Sequence, residues 1–194
     1  MTKAELRKIY IARQKSLSVV EREEKSRQIA ERFFQSFDLR RIKFLHAFLP
    51  IEKFNEANTR LIFERLWREF PHIETLLPRV CFQTNEIESL KFTRETNLAR
   101  NSWQIDEPLH DEIVEAKEID LVLAPLLCFD EKNNRVGYGK GFYDRFLQNC
   151  RADCQKIGLS YFAPVEEISD AWEFDVKLDF CVTPEEIFIT DEHG

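Results

Sequence analysis

Between residues 119 and 147 the chain passes from an apolar segment, through a glycine-rich turn, into a helical repeat. The apolar segment, Ile119 to Phe129, is typical of a buried strand. After the turn, apolar and aromatic residues recur at helical spacing, at Phe142, Tyr143, Phe146 and Leu147. This order predicts a strand whose carboxyl end leads into a loop and then into the amino end of a helix.

The turn, residues 135–144, holds three of the five glycines of the chain, at Gly137, Gly139 and Gly141. Glycine permits a positive φ and a close approach of ligand to backbone, so alternate glycines expose several N–H groups on one side of a loop. Lys140 adds a mobile charge, and Arg135 adds a planar fork that suits phosphate or carboxylate. The dipole of the following helix favours an anion at the same place.

This glycine pattern matches neither of two common phosphate-binding fingerprints. The Walker loop has four residues between its first glycine and Gly-Lys, and the dinucleotide fingerprint has two residues before its last glycine, where this chain has one. A bare turn of this kind is more often a flexible surface loop than a binding site. The flanking Arg135, Lys140 and Tyr143-Asp144 favour a binding site for an anion.

Length and charge restrict the class of protein. At 194 residues the chain is long enough to bury a core, and we expect one domain over 1–194. The net charge of −7 argues against general nucleic-acid binding, and no stretch approaches the ~20 apolar residues of a membrane span. A charged amino terminus and scattered cysteines predict no secretory signal and reduced thiols. We therefore expect a cytoplasmic protein, and a monomer.

Helical and strand patterns alternate along the chain. Capping boxes at Thr2 with Glu5 and at Ser18 with Glu21 predict helices that end near residues 15 and 36. A further helix is predicted over 59–70, and a short helical connection over 111–117. Strands are predicted over 43–49, 75–82, 89–93, 119–127, 155–160, 179–182 and 187–189. The alternation implies an α/β fold with a mainly parallel sheet flanked by helices, and ligands bind outside the carboxyl ends of such strands.

The glycine turn and its surroundings resemble the signature of the 5-formyltetrahydrofolate cyclo-ligase family. The matching residues are Pro125, the pair Phe129-Asp130 and the segment Arg135 to Leu147. Val136 stands for the usual leucine and Phe142 for the usual first tyrosine, and both differences are mild. The resemblance implies a Rossmann-like three-layer fold of the NagB/RpiA/CoA-transferase type.

Further anchors of the resemblance lie in the same order along the chain. Lys3 and Arg7 match a basic pair that the family places against ATP. Glu56, in Glu56-Ala-Asn-Thr59, matches a folate-contacting glutamate, and either Leu49 or Ile51 lines the same pocket. Trp103 precedes Glu107-Pro108 in a turn that the family shares, and it is either a stacking surface for the pterin or a core tryptophan.

The resemblance also implies two magnesium ligands and the residues of the nucleotide site. The magnesium ligands are Asp144 and Asp179, and carboxylate oxygens suit Mg²⁺. The backbone from Gly137 to Gly141, with Tyr138 and Tyr143, would hold ATP. Lys140 and Arg135 would stabilise phosphate charge, and Phe142 and Tyr143 would wall the substrate. The four histidines form no motif, so neither a zinc site nor a histidine-based nucleophile is predicted.

The implied reaction is the ATP- and Mg²⁺-dependent conversion of 5-formyltetrahydrofolate to 5,10-methenyltetrahydrofolate, through a phosphorylated formyl (imine) intermediate. Two other hypotheses belong to different classes of protein. One is a binding module that holds a nucleotide or folate without turnover. The other is a sugar-phosphate isomerase or acyl-transfer enzyme with a related sheet, which needs no ATP. Fold similarity alone does not separate the three.

Overall fold

The structure of the chain, a computed structural model, describes residues 1–81, 83–84, 86–101 and 104–190. The helices are α1 Lys3–Ser16, α2 Val19–Ser36, α3 Arg60–Glu69 and α4 Phe142–Gln148. The strands are β1 Phe44–Ala47, β2 Glu74–Cys81, β3 Glu86–Lys91, β4 Leu98–Arg100, β5 Asp106–Pro108, β6 Ile113–Val114, β7 Leu121–Pro125, β8 Cys128–Phe129, β9 Arg135–Val136, β10 Gln155–Leu159, β11 Phe180–Val182 and β12 Ile187–Ile189. Short 3₁₀ turns lie at Glu52–Phe54 and Ala116–Glu118.

Within the described part of the chain, eight strands form the main sheet, in the order β12-β11-β10-β7-β1-β2-β3-β6. The five strands from β11 to β2 run parallel to one another. The strands β12, β3 and β6 are antiparallel to their neighbours. Two small hairpins, β4-β5 and β8-β9, lie outside this sheet. The predicted α/β fold with a mainly parallel sheet is confirmed.

The chain leaves the adjacent strands β1 and β7 in opposite directions. From β1 it passes through α3 to β2, and from β7 it passes through the glycine turn and α4 to β10 on the other side. A crevice forms outside the carboxyl ends of two strands at such a reversal, and ligands bind there in open α/β sheets. The loops after Ala47 and Pro125 both open into this crevice.

Helices cover both faces of the sheet because side chains alternate along each strand. On one face, Leu45 and Leu121 pack in one core with residues of α2 and α3. On the other face, Val122 packs in a second core with Phe146 of α4. Helix α1 lies apart from both, where its buried residues pack against Val136 of the β8-β9 hairpin. This contact brings α1 next to the glycine turn.

The two amino-terminal helices begin where the capping boxes predict. The hydroxyls of Thr2 and Ser18 accept hydrogen bonds from the N–H groups of Glu5 and Glu21, whose carboxylates return to the caps. Helices that start at such boxes are determined locally. Among the described residues, no helix is long and apolar enough to cross a membrane.

The helical connection predicted over 111–117 is wrong. Ile113 and Val114 form β6 and pair with Leu90 and Ser89 of β3, and the 3₁₀ turn at Ala116–Glu118 follows. A segment this short does not distinguish a helical period from a strand period, so pairing with the exposed edge of β3 decides its structure.

Candidate active site

A cavity of about 410 Å³ occupies the crevice outside β1 and β7. It is lined by residues of α1, of the loop after β1, of β2 and β3, and of the glycine turn with the start of α4. The basic residues of the lining come from α1, β9 and the turn, while the part contributed by β2, β3 and the loop after β1 is mostly aliphatic and aromatic, with the carboxyl group of Glu56 among these side chains. The cavity therefore offers different chemistry to two parts of one ligand, or to two ligands.

The glycine turn adopts backbone conformations that other residues rarely take. Gly139 has φ +88° and Gly141, the N-cap of α4, has φ +67°. A Cβ at Gly139 would lie 3.1 Å from the guanidinium carbon of Arg7, whose Nε donates a hydrogen bond to the Gly137 carbonyl at 2.9 Å. Glycine is therefore needed at 139 for its conformation and for the close approach of Arg7.

Four basic side chains predicted from the sequence line this one cavity: Lys3, Arg7, Arg135 and Lys140. Two of them come from α1, where positions 3 and 7 share one face of the helix. Of the other two, Arg135 precedes the glycines of the turn and Lys140 lies between the last two of them. The packing of α1 against the β8-β9 hairpin therefore brings four basic side chains to one cavity, two of them paired with carboxylates, and positive charge in a cavity attracts anions.

Arg135 is buried, with 7% of its surface exposed. Its Nη2 donates to Asp144 Oδ1 at 2.6 Å, and its Nη1 donates to the carbonyl of Val176. Burial lowers the pKa of Arg135, and the carboxylates of Asp144 and Asp175 oppose that shift. A buried guanidinium with these partners orients the Asp144 carboxylate at the start of α4.

The structure does not bring Asp179 into the cavity. Asp179 directly precedes β11, and its carboxylate accepts a hydrogen bond from the Lys156 N–H at 2.7 Å, at the amino ends of β10 and β11. The cavity lies at the opposite, carboxyl ends of the parallel strands. The structure therefore does not bring Asp179 next to Asp144 as the sequence predicts, and the second aspartate that lines the cavity near Arg135 is Asp175.

The sequence patterns did not point to Asp175 as a cavity residue, because a second aspartate, Asp179, lies only four positions further along. Its carboxylate forms an ion pair with Lys3 and accepts a hydrogen bond from the Trp172 N–H at 2.6 Å. Both contacts tie the loop before β11 to the amino end of α1. The resemblance to a family Val-Asp-x-Val stretch favoured Leu178-Asp179, but Asp175 is also followed by valine, at Val176.

Glu56 lies at the apolar side of the cavity and is buried, with 5% of its surface exposed. Its Oε2 accepts a hydrogen bond from the Ile51 N–H at 2.6 Å. Burial raises the pKa of Glu56 to about 7, and the Ile51 N–H and the neighbouring Tyr138 hydroxyl act in the opposite direction. This carboxyl is thus able to hold or release a proton near neutral pH.

The raised pKa of Glu56 predicts a pH dependence of stability. Between the ordinary pKa of 4.5 and about 7, the folded protein keeps a proton that the unfolded chain has released. The free energy of unfolding should therefore fall as the pH rises through this window, and Glu56→Gln should remove about 1 kcal/mol or more of that fall. Urea unfolding of the wild type and of Glu56→Gln at pH 5 and pH 7.5 measures this change in the free energy of unfolding.

Glu52→Gln is the matched control, because Glu52 is exposed on the same loop. The wild type and both variants share every carboxyl group outside positions 52 and 56, so the difference between the proteins isolates the effect of these two positions. Identical pH dependence in the wild type and in Glu56→Gln would mean that Glu56 is already ionised in the folded protein at pH 5.

The predicted substrate wall is partly assembled. Leu49 and Ile51, which the sequence offered as alternatives, both line the cavity. Phe142 and Tyr143 line it from the start of α4. Trp103 lies outside the described residues. Sequence patterns alone did not point to the Phe54 ring, which lies 4.4 Å from that of Tyr138 and lines the cavity with it.

A mainly parallel sheet with a cavity at its reversal point, lined by both basic and apolar residues, is typical of α/β enzymes. Residues 1–184 match the model of the 5-formyltetrahydrofolate cyclo-ligase family, and the chain belongs to this family. It is accordingly an enzyme of folate metabolism, and the predicted membership is confirmed.

Relatives support the match over most of the chain. A 5-formyltetrahydrofolate cyclo-ligase of Escherichia coli is 28% identical over 91% of this chain and 97% of that protein. A solved 5,10-methenyltetrahydrofolate synthetase from Mycoplasma pneumoniae is 28% identical, with a TM-score of 0.75 over 95% of this chain and 99% of that one. A solved 5,10-methenyltetrahydrofolate synthetase from Aquifex aeolicus is 26% identical, with a TM-score of 0.78 over 99% of this chain and 94% of that one.

Proposed function

We propose that this enzyme converts 5-formyltetrahydrofolate to 5,10-methenyltetrahydrofolate with consumption of ATP, in the presence of Mg²⁺, and releases ADP and phosphate. The observation that carries the proposal is the single cavity that joins a basic, glycine-lined end to an apolar end. A reaction between a nucleotide and a folate needs both ligands side by side in such a space.

The basic end of the cavity suits a triphosphate. Lys3 and Arg7 line the cavity from α1, and Lys140 lines it from the turn, together with Gly137, Gly139 and Gly141. N–H groups of a glycine turn bind phosphate oxygens, and lysine acts as a point charge toward them. Arg135 contributes by holding Asp144, since its two terminal nitrogens contact Asp144 and the Val176 carbonyl.

Two carboxylates at this end fit a magnesium ion. Asp144 and Asp175 line the cavity, and the negative charge of each raises the pKa of Arg135. Their carboxylate oxygens are the hard ligands that Mg²⁺ prefers. In the described part of the chain, no cluster of three or more His, Cys, Asp or Glu could hold a metal. One or two carboxylates with substrate phosphates is the usual arrangement for Mg²⁺, which would neutralise phosphate charge there.

The apolar end suits the folate. Leu49, Ile51 and Phe142 offer surfaces for a flat pterin, and the buried Glu56 offers a carboxyl group for its N–H groups. Trp103 stays a predicted contact. Tyr143 lines the cavity beside Phe142, from the first turn of α4.

In the proposed reaction the formyl oxygen attacks the γ-phosphorus, and the bond from that phosphorus to the ADP oxygen breaks. The product is a phosphorylated imine at N5. N10 then attacks its carbon, the carbon–oxygen bond to phosphate breaks, and N10 loses its proton. Positioning and electrostatic stabilisation by Lys140 and the turn are what such a phosphoryl transfer requires.

Replacing Lys140 by alanine is expected to lower kcat by more than tenfold, a loss of more than ~1.4 kcal/mol, because the charge beside the transferring phosphoryl group is removed. Lys132→Ala is the matched control, since Lys132 is exposed and forms an ion pair with Glu167 outside the cavity lining. Steady-state assays measure both variants. Turnover of Lys140→Ala close to that of Lys132→Ala would remove Lys140 from the mechanism.

The proposed function is tested by the absorbance of methenyltetrahydrofolate formed from 5-formyltetrahydrofolate, with and without Mg-ATP. Product only in the presence of Mg-ATP supports the proposal. Turnover without ATP would select an isomerase or acyl-transfer chemistry instead. Binding of ATP in calorimetry without any product would select the binding-module hypothesis.

A further inference from the structure

A chain of hydrogen bonds runs from the interior of the sheet to the cavity. The Nδ1 of His46, in β1, lies 2.8 Å from the Ser89 hydroxyl of β3. Its Nε2 lies 3.3 Å from the Tyr143 hydroxyl of α4. His46 and Ser89 are 0% and 2% exposed, whereas Tyr143 lines the cavity. Three elements that are distant in sequence are thus joined through one imidazole.

Aromatic contacts hold the same imidazole in place. The centroid of the His46 ring lies 4.6 Å from that of Phe146 and 6.0 Å from that of Tyr143. Burial lowers the pKa of His46 to about 3, so the ring is neutral. A neutral imidazole has one donor and one acceptor nitrogen, and the two hydroxyls each supply the complementary group.

A histidine at this place is costly unless its hydrogen bonds are used. The neighbouring residues of β1, Phe44, Leu45 and Ala47, are all apolar and buried. An aromatic or aliphatic residue would fill the space without desolvation of two polar nitrogens. The simpler explanation is a core histidine whose two nitrogens are both hydrogen-bonded. However, one of its partners, Tyr143, lines the cavity in which the ligands are proposed to bind.

We propose that His46, supported by Ser89, is a positioning residue that fixes the direction of the hydroxyl of Tyr143, a residue of the cavity wall. This inference rests on the proposed function, because it gives the Tyr143 hydroxyl a role in that reaction. One hydrogen-bonding position of the phenol is taken by His46, and a hydroxyl has the capacity for a further partner, which in this proposal is the ligand. Its rotation is thereby set before the ligand arrives, which is the benefit of preorganised polar groups.

Two substitutions of His46 separate positioning from packing. The amide of glutamine reaches about as far as Nε2 and keeps the partner of Tyr143, while the amide of asparagine reaches about as far as Nδ1 and keeps only the partner of Ser89. We expect His46→Gln to retain kcat/KM within about threefold of the wild type, and His46→Asn to lose about tenfold. Both variants keep a buried amide, and urea unfolding compares their stability.

A double-mutant cycle tests whether His46 acts through the Tyr143 hydroxyl. Tyr143→Phe is expected to lower kcat/KM by about tenfold, and adding His46→Asn to Tyr143→Phe is expected to change it by less than about twofold. Additive losses would mean that His46 acts by another route. Full activity of Tyr143→Phe would mean that the hydroxyl is not used, and it would overturn the proposal.

Ser89→Ala provides a mild variant that removes one hydroxyl from the far end of the chain. A loss of about two- to threefold in kcat/KM, absent in the Tyr143→Phe background, supports the inference. An equal loss in both backgrounds, like equal activities of His46→Gln and His46→Asn, would overturn it. Absence of Mg-ATP-dependent turnover in the wild type would instead contradict the proposed function, so the two failures are distinguishable.

Discussion

Asp175→Asn is expected to lower kcat/KM by about 100-fold, or ~2.7 kcal/mol, and to raise the Mg²⁺ concentration needed for half-maximal activity. The amide keeps an oxygen for the Trp172 N–H, but it removes the charge that pairs with Lys3 and that we propose as a ligand of the metal. Steady-state rates measured across a Mg²⁺ titration give both quantities in one experiment.

Asp179→Asn is the matched control, with the same chemical change four positions further along. Its carboxylate accepts from the Lys156 N–H at the amino end of β10, so kcat/KM should stay within about twofold of the wild type. The reverse result, with Asp179→Asn inactive but folded and Asp175→Asn active, would return Asp179 to the metal site. Circular dichroism of both variants shows whether the fold is kept.

Local chemistry explains which parts of this molecule were predictable from sequence. The capping boxes at Thr2 and Ser18 start α1 and α2, since each cap and its partner are three residues apart. Glycine equally permits the positive φ that Gly139 and Gly141 adopt within one turn. The basic pair Lys3 and Arg7 falls on one face of α1 by helical spacing alone.

Contacts between distant segments explain what was not predictable. The choice between Asp175 and Asp179 depends on the course of the loop before β11, which carries Asp175 to the cavity and leaves Asp179 beside Lys156, and no spacing within that short stretch reveals it. Likewise, the partner of His46 in β1 is Ser89 of β3, 43 positions away, and only the order of strands in the sheet brings them together. The histidines show no motif because their chemistry arises from neighbours in space.

Gly158→Ala is expected to lower the free energy of unfolding by about 2 to 3 kcal/mol, because the methyl group has no room. A Cβ at this position would lie 2.4 Å from Leu126 Cδ2 and 2.6 Å from Leu178 Cδ1. Both leucines are buried, so neither side chain has free space to enter. Urea unfolding of the variant and the wild type measures the loss.

Gly137→Ala is the control for this stability prediction, since a Cβ there would meet no atom within 4 Å and should cost less than about 0.5 kcal/mol. Leu126 leads toward the β8-β9 hairpin and the glycine turn, and Leu178 follows the loop that carries Asp175. If Gly158→Ala proves as stable as Gly137→Ala, the two leucines have shifted to admit the methyl group. Such a shift would move both segments that bring charge into the cavity, so Gly158→Ala would then lower enzymatic activity without lowering the free energy of unfolding.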